Sequence, residues 1–126
     1  MKLHTNTAAG LNTITAYGSG YVAVNGQRLE RSFLVTAQQL VEDWPASEVS
    51  ALTPAQISEL CAFNCDIVVL GTGNTQKFPP REVLRALSDR RIGVEVMDNF
   101  AACRTYNILV MEGRPVALAV IMEPPA

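Results

Sequence analysis

The chain has 126 residues, of which 48% are hydrophobic and 17% are charged, and its formal net charge is -2. This length and composition are typical of one globular domain and exclude an intrinsically disordered protein. The weak negative charge argues against binding to a nucleic-acid backbone, because such binding requires clustered cations. We therefore predict a single domain over residues 1–126 that binds no nucleic acid.

The hydrophobic pattern bears on membrane insertion. The longest apolar run, residues 116–122, has seven residues, whereas a bilayer-spanning helix needs about 20. The N-terminus lacks the basic and then apolar pattern of a secretion signal. We therefore expect no transmembrane segment and a cytoplasmic location, unless a presequence has been removed.

The chain contains three cysteines, Cys61, Cys65 and Cys103, and a single histidine, His4. An odd number of cysteines without a secretion signal favours free thiols. A structural zinc site needs four ligands, and these three cysteines and His4 are the only Cys and His side chains that the chain offers. Packing of Cys61 and Cys65 against the core is therefore the stronger interpretation. We expect no metal and no cofactor.

The first half of the chain is predicted to form strands. Residues 12–17 and 21–24 are β-prone, and Asn25-Gly26 gives the strongest short hairpin signal, because a type I′ turn needs positive φ at both positions. Residues 27–35 are predicted as one return strand. Residues 38–44 are interpreted either as a short helix ended by a proline or as an irregular segment.

The second half alternates helices with apolar strands. Thr53-Pro54-Ala55-Gln56 has the residues of a capping box and a proline in the first turn, which predicts the start of a helix. Further strands and helices are predicted in the order strand 66–70, helix after Pro79-Pro80, strand 92–97, helix from Phe100 to about Glu112 capped by Asp98 or Asn99, and strand 116–122. Strands separated by helices indicate crossover connections and a parallel or mixed sheet, that is, an α/β fold.

One segment has two interpretations. Residues 106–111 are rich in strand formers and could pair with residues 116–121 as a hairpin that turns at Glu112-Gly113. The helix is favoured because it explains the cap and the two alanines that precede this segment.

Two strand ends are candidate binding positions, because ligands in open α/β sheets bind beyond the carboxyl ends of the strands. Residues 71–76 follow one strand, and Asp98-Asn99 follows the next. The amides of a glycine loop and of a helix N-terminus favour an anion. The loop is not a dinucleotide fingerprint, however, because Gln76 stands in place of the third glycine.

The predicted last helix carries a cysteine in its early turns. A thiolate is favoured near a helix N-terminus, but the chain offers no histidine nearby in sequence to act as a base. At 100° per residue, Cys103 falls with Ala102 and Tyr106 on the predicted core stripe. Core packing is therefore the stronger interpretation for Cys103.

The opposite side of the same helix carries Arg104 together with Ile108 and Met111. A surface that combines one charge with exposed apolar groups is typical of a protein contact. The alternative is an arginine that pairs with Asp98 or is solvated.

Several segments match a known family in their order and spacing. They are Val69-Leu70-Gly71-Thr72-Gly73, Gln76-Lys77-Phe78-Pro79, Gly93-Val94-Glu95-Val96-Met97-Asp98, Ala101-Ala102-Cys103-Arg104-Thr105-Tyr106-Asn107 and Glu112-Gly113-Arg114. On these residues the chain resembles the small Mth-type domain family of unknown function, most strongly from residue 66 to residue 121. That family is similar to mitochondrial complex I (NADH:ubiquinone oxidoreductase) assembly factor 3 and to adipogenesis-associated proteins with the same domain.

The resemblance implies a single three-layer α/β domain, the Mth-type fold, with a mixed central sheet, helices and an additional N-terminal β layer. It also suggests that the last strand runs antiparallel. It supplies no reaction and no catalytic residues, so the positions below are site candidates only. The matching positions are Gly71, Thr72, Gly73, Gln76, Asp98, Cys103 and Arg104, and Asn99 is added from the strand-end pattern.

Two functions follow as hypotheses. The first is a non-enzymatic interaction module, an assembly factor for a respiratory or other membrane complex, whose partner is a subunit or assembly protein of that complex. A homodimer through apolar surface remains open. The second is a binder of small anionic metabolites, or an enzyme, that uses the crevice between Gly71–Gly73 and Asp98–Arg104. The first is favoured, because a catalytic base is missing and the surface around Arg104 is mixed.

Overall fold

The computed structural model describes residues 10–123, which form two sheets and three α-helices. His4, the single histidine, lies outside these residues. Among the described helices, none is long and apolar enough to cross a bilayer.

A small antiparallel sheet forms from the first three strands, β1 (Ile14–Gly18), β2 (Tyr21–Val24) and β3 (Gln27–Leu29). The turn between β2 and β3 has positive φ at Asn25 (48°) and Gly26 (85°). The hairpin predicted from this dipeptide is therefore confirmed, since a turn with positive φ at both positions matches the twist of the two strands.

The prediction of one strand over residues 27–35 is wrong. The strand β3 ends at Leu29, and β4 (Phe33–Thr36) belongs to the second, larger sheet. Between them, the buried Ser32 donates its hydroxyl hydrogen to the carbonyl of Ala46 and accepts a hydrogen bond of 2.8 Å from the amide of Met122. These long-range bonds hold the chain where it passes from one sheet to the other.

The helical interpretation of residues 38–44 is also wrong. The chain turns tightly after Thr36, whose amide donates to the Gln39 carbonyl at 2.9 Å, and a two-residue strand, β5 (Leu40–Val41), pairs antiparallel with β4. The alternative of an irregular segment is closer to the structure. Trp44 is 2% exposed and packs in the core.

The second half follows the predicted alternation of helices and strands. Its elements are α1 (Pro54–Cys61), β6 (Ile67–Gly71), α2 (Arg81–Ser88), β7 (Gly93–Met97), α3 (Asn99–Met111) and β8 (Val116–Val120). The capping box before α1 is present, with the Thr53 amide donating to Oε1 of Gln56 at 2.9 Å. The helix α3 excludes the alternative hairpin, because it buries Tyr106 and Val110 against the sheet.

The larger sheet is mixed, with the strand order β5-β4-β8-β6-β7. The strands β8, β6 and β7 are parallel, β4 is antiparallel to β8, and β5 is antiparallel to β4. The expected antiparallel last strand holds only with respect to β4, and it is wrong with respect to β6. The reason is that the 13-residue helix α3 carries the chain back along the sheet, as a crossover between parallel strands does.

The larger sheet separates two hydrophobic cores. One core lies between this sheet, the small sheet and α3, and the other lies between the sheet and the helices α1 and α2. Successive residues of β8 alternate between the cores, with Leu118 in the first and Ala117 and Ala119 in the second. The result is a mixed α/β fold in layers, with the additional N-terminal sheet that the family resemblance implies.

Candidate functional site

The three parallel strands end along one edge of the larger sheet. Gly71 ends β6, Met97 ends β7 and Val120 ends β8. The amide of Thr72 donates to the Met97 carbonyl at 3.0 Å, and the amide of Ile121 donates to the Gly71 carbonyl at 3.0 Å. The segments that leave these strands are therefore tied to one another where they emerge from the sheet.

Asn99 is the polar side chain at the centre of this edge, and it is 7% exposed. Its Oδ1 accepts the amide of Gly73 at 3.1 Å, and its Nδ2 donates to the Ile121 carbonyl at 3.0 Å. Its own amide donates to the Gly73 carbonyl at 2.9 Å. Asn99 thus joins the glycine loop, the start of α3 and the segment after β8, and it uses its amide group within the protein.

The loop and the helix are in direct contact on either side of Asn99. A Cβ atom at Gly71 would collide with Oδ1 of Asn99 and would lie 3.2 Å from the Cβ of Ala102. Gly73 has φ of 110°, which L side chains rarely adopt, and a Cβ atom there would meet the carboxyl of Glu123. The two glycines allow this close approach, so that protein atoms fill the space between the loop and the helix.

Thr72 is buried and organises the rest of the loop. Its hydroxyl donates to the Thr75 carbonyl at 2.8 Å and accepts the Lys77 amide at 3.0 Å. The Lys77 ammonium pairs in turn with Glu123 at 2.9 Å. The loop is therefore a hydrogen-bonded turn, and two of the amides expected to face an anion, those of Thr72 and Gly73, are bonded to protein acceptors.

Gln76 lies against the free edge of β7 and donates its side-chain amide to the Val96 carbonyl at 2.8 Å. Gly93 and Met97 bond towards the β6 side, and alternate residues of a strand direct their backbone groups to opposite sides. Val94 and Val96 therefore direct theirs to the free edge. Covering such groups limits unwanted pairing with other strands, so the contact gives Gln76 a structural role.

Asp98 and Cys103 both have structural roles in α3. The carboxylate of Asp98 accepts the Ala101 amide at 2.9 Å, which is the cap expected at this position. The Cys103 side chain is fully buried in the first core. Burial raises the pKa of the Cys103 thiol to about 12, so at neutral pH the group is a protonated thiol and not a nucleophilic thiolate.

The outer surface of α3 carries what we call the α3 stripe: Phe100, Arg104, Ile108 and Met111. In the part of the chain that the structure describes, the exposed large hydrophobic side chains are Phe78, Phe100, Ile108 and Met111, which are 70%, 40%, 60% and 73% exposed. Three of these four side chains therefore share one helix face, which differs from the scattered single exposure that is usual on protein surfaces.

Arg104 is held in place at the centre of the α3 stripe. Its Nη1 donates to the Tyr17 hydroxyl at 3.3 Å, which raises the pKa of the guanidinium, and the Tyr17 ring stacks on Phe100 with 4.7 Å between centroids. Among residues 10–123, no carboxylate forms an ion pair with Arg104. The expected alternative partner, Asp98, acts on Arg104 only at longer range.

Phe100 and Tyr17 belong to this surface, although neither is among the site residues predicted from the sequence. Phe100 stands four residues before Arg104, so its place on the stripe could have been read from the helical repeat. Tyr17 is 87 residues away from Arg104 in the chain, and its role depends on the packing of β1 against α3. That packing comes from Asn107, which accepts the Ile14 amide at 2.8 Å and donates to the Ile14 carbonyl at 2.9 Å.

A groove of about 500 Å³ lies beside the strand ends, between the turn after β1 and the start of α3. Its wall includes Gly73, Asn99 and Phe100, together with the two acidic residues Glu30 and Glu123. None of the residues in this wall is a lysine or an arginine. Both carboxylates pair with cations that lie outside this wall, Glu30 with Arg28 at 3.9 Å and Glu123 with Lys77 at 2.9 Å, so the wall itself offers an anion no cationic side chain. In residues 10–123, no group of His, Cys, Asp and Glu side chains could hold a metal ion.

Comparisons with known proteins agree on the family. Residues 14–121 match the model of the family described as "Protein of unknown function (DUF498/DUF598)". The chain is 36% identical over 114 residues to NADH dehydrogenase [ubiquinone] 1 alpha subcomplex assembly factor 3 of Bos taurus, covering 88% of this chain and 61% of the relative. It is also 27% identical over 106 residues to a 13 kDa major membrane protein of Francisella tularensis, covering 83% and 86%.

Solved structures share the fold. A crystal structure of a Bordetella parapertussis protein is similar, with a TM-score of 0.83 and 37% identity over 88% of this chain and 95% of that one. A solution structure from Bordetella pertussis, described as a Mth938-like domain, has a TM-score of 0.81 and 30% identity over 100% and 95%. The chain spans about three fifths of the length of the Bos taurus relative. The matched residues cover nearly all of both sheets and all three helices, and the chain therefore belongs to the DUF498/DUF598 family, whose members include proteins with the Mth938-like domain.

Proposed function

We propose that this protein is a non-enzymatic interaction module that helps to assemble a respiratory or other membrane complex, and that the α3 stripe contacts its protein partner. The partner is a subunit or an assembly protein of that complex. The observation that carries the proposal is the concentration of exposed apolar side chains around Arg104 on a single helix face.

The relatives support the assembly part of the proposal. Assembly factor 3 from Bos taurus and from Homo sapiens is 36% and 33% identical to this chain, over 88% and 93% of its length. The name of assembly factor 3 assigns those proteins to the assembly of NADH dehydrogenase. The chain spans 61% and 64% of those proteins. We therefore propose their assembly role for this chain and do not assign their whole activity to it.

The geometry of Arg104 supports the contact part. The guanidinium has five N–H donors in a fixed fork, and the described hydrogen bond to Tyr17 uses one of its nitrogens. Arg104 is exposed, as are Phe100 and Ile108, which stand one turn before and one turn after it on the helix. Arginine and aromatic side chains are enriched where protein interfaces have their strongest contacts. A partner that places a carboxylate over Arg104 and apolar groups over its neighbours fits this surface.

The site chemistry supports a role without catalysis. Cys103 is buried with its pKa raised to about 12, and Asp98 is used as a helix cap. The three free cysteines are consistent with a reducing compartment, so the proposal places the protein in the cytoplasm.

The test is complementation in the source organism. We expect deletion of the gene to lower the amount of an assembled membrane complex on native gels, and we expect the wild-type gene to restore it. Arg104→Glu should fail to restore it, because the reversed charge repels the carboxylate of the partner. The melting temperature of the purified variant should stay close to that of the wild type, since Arg104 is solvent-exposed.

Arg90→Glu is the matched control, because Arg90 is also exposed but follows α2, on the other side of the larger sheet. This variant should complement fully. If deletion leaves every membrane complex intact, the assembly role is wrong. If Arg104→Glu complements as well as Arg90→Glu does, the role can stand but the α3 stripe is not the contact surface.

The groove beside the strand ends supports a second candidate function, the binding of a small molecule. Its volume of about 500 Å³ is within the range of ligand pockets. The wall of the groove contains no lysine or arginine, which favours a neutral ligand over the anionic metabolite expected from the sequence. A thermal-shift screen with metabolites of each charge class tests this candidate, and the absence of any shift in all three classes would exclude it.

A further inference from the structure

Glu112 follows Met111, the last residue of the α3 stripe, and it stands four residues after Ile108. Phe100, Arg104, Ile108 and Glu112 are spaced by four residues, so they form one ridge along the helix surface. Glu112 is the C-terminal cap residue of α3 and is exposed. Along this ridge a cation and an anion lie at equal distances on either side of an apolar side chain.

This order of charges is self-complementary. When the ridge is reversed, the anion occupies the former position of the cation, and Ile108 keeps its own position. A second copy that is rotated by 180° about an axis through Ile108 therefore brings Arg104 against Glu112, and it does so twice by symmetry. A parallel arrangement would instead place like charges opposite each other.

The two charged groups are available for such a contact. Among residues 10–123, neither Arg104 nor Glu112 takes part in an ion pair. The hydrogen bond from Arg104 to Tyr17 restricts the guanidinium before any contact forms, so less side-chain freedom is lost on association. Ile108 is 60% exposed and would bury its surface against its symmetry mate.

We propose that two copies of this chain associate through the α3 stripe, with the two α3 helices antiparallel, Ile108 on the twofold axis, and Arg104 of each copy paired with Glu112 of the other. The inference rests on the proposed function in that it uses the same surface, so a copy within the dimer does not bind the membrane-complex partner at the same time. A helix of 13 residues is about 20 Å long, so the contact is small and the dimer forms only at raised protein concentration.

Sedimentation velocity over a series from micromolar to millimolar protein tests the proposal. We expect the average sedimentation coefficient of the wild type to rise with concentration. Arg104→Glu alone and Glu112→Arg alone should each abolish the rise, because each variant brings like charges together. The double variant should restore the rise, because the pairs are re-formed with the charges exchanged. Arg90→Glu should behave as the wild type does.

Several outcomes overturn the proposal. They are a wild type that stays monomeric throughout the series, single variants that associate as the wild type does, and a double variant that fails to restore association. Circular dichroism on each variant establishes that the fold is kept. If the wild type stays monomeric and Arg104→Glu still fails to complement, the α3 stripe binds a different protein. The proposed function would then stand without the dimer.

Discussion

Gly71 shows how a single residue type sets the arrangement at the strand ends. The position needs no unusual backbone conformation, but it lies directly under Asn99 and Ala102. The absence of a side chain lets α3 begin close to the end of β6. Asn99 can then reach both the Gly73 amide and the Ile121 carbonyl. Gly71 and Asn99 were predicted as ligand contacts, and the structure gives them a part in holding three segments together.

Gly71→Ala is predicted to lower the free energy of unfolding by about 1–3 kcal/mol, the usual cost of inserting a methyl group into a well-packed site. The added Cβ would collide with the Asn99 side chain and displace its two hydrogen bonds. Chemical denaturation gives the free energy directly. Gly93→Ala is the control, because a Cβ atom there meets only the Asp66 carbonyl at an ordinary 3.7 Å. Equal effects of the two substitutions would contradict this role for Gly71.

The buried thiol of Cys103 makes the stability of the fold depend on pH. Burial holds its folded pKa at about 12, above its ordinary value of 9.0. Thiolate formation therefore favours the unfolded chain, and the stability from the buried thiol is full below pH 9 and is lost as the pH rises towards 12. At neutral pH this titration leaves stability unchanged.

Cys103→Ala is predicted to be less stable than the wild type at neutral pH, because the substitution leaves a small cavity in the first core. Above about pH 9 the difference should shrink by up to about 1.4 kcal/mol per pH unit, since only the wild type has this thiol to ionise on unfolding. Urea titrations at a series of alkaline pH values measure the difference. Parallel stability curves for the two proteins would show that Cys103 does not titrate in this way.

At the scale of elements, the sequence predicted well wherever the deciding interaction is local. Asn25-Gly26 determines its turn by backbone preference, and Thr53 and Gln56 complete a capping box within four residues. The α3 face was also predictable, because helical spacing alone separates buried Cys103 from exposed Arg104. These features need no knowledge of the rest of the chain.

The sequence predicted poorly where distant segments decide the structure. The break before β4 depends on Ser32, whose partners Ala46 and Met122 lie 14 and 90 residues away. The two-residue strand β5 is too short for a periodic pattern and exists through its pairing with β4. The surroundings of the candidate site also depend on distant segments, because the amides of Thr72 and Gly73 are bonded to Met97 and Asn99. No pattern within the loop shows that these acceptors approach it.

At the scale of the whole molecule, the larger sheet couples the two cores. Its inner strands β4, β6 and β8 send alternate side chains to opposite faces, as Val69 and Leu70 show within β6. The helices α1 and α2 have only the larger sheet to pack against, and α3 packs against the larger sheet and the small N-terminal sheet. Loss of either layer exposes one face of the same strands, so the two cores should not persist independently.

Two natural probes can test this coupling, because they lie on opposite sides of the larger sheet. Trp44, the single tryptophan, is buried in the core with α1 and α2, and Cys103 is buried in the core with α3 and the small sheet. We predict that both report the same urea midpoint. Trp44 fluorescence measures one side, and pulsed alkylation with peptide mass spectrometry measures Cys103 separately from the two half-buried cysteines.

A coincident midpoint means that the outer α3 surface is supported by the entire fold, because α3 cannot leave the sheet without exposing β6 and β8. The α3 stripe would then be a rigid surface, for which a partner loses little binding energy to ordering. Alkylation of Cys103 at lower urea than the fluorescence change would mean that α3 and the small sheet open while the other core persists. In that case the coupling is wrong, and contact through the α3 stripe would stabilise the less stable half of the protein.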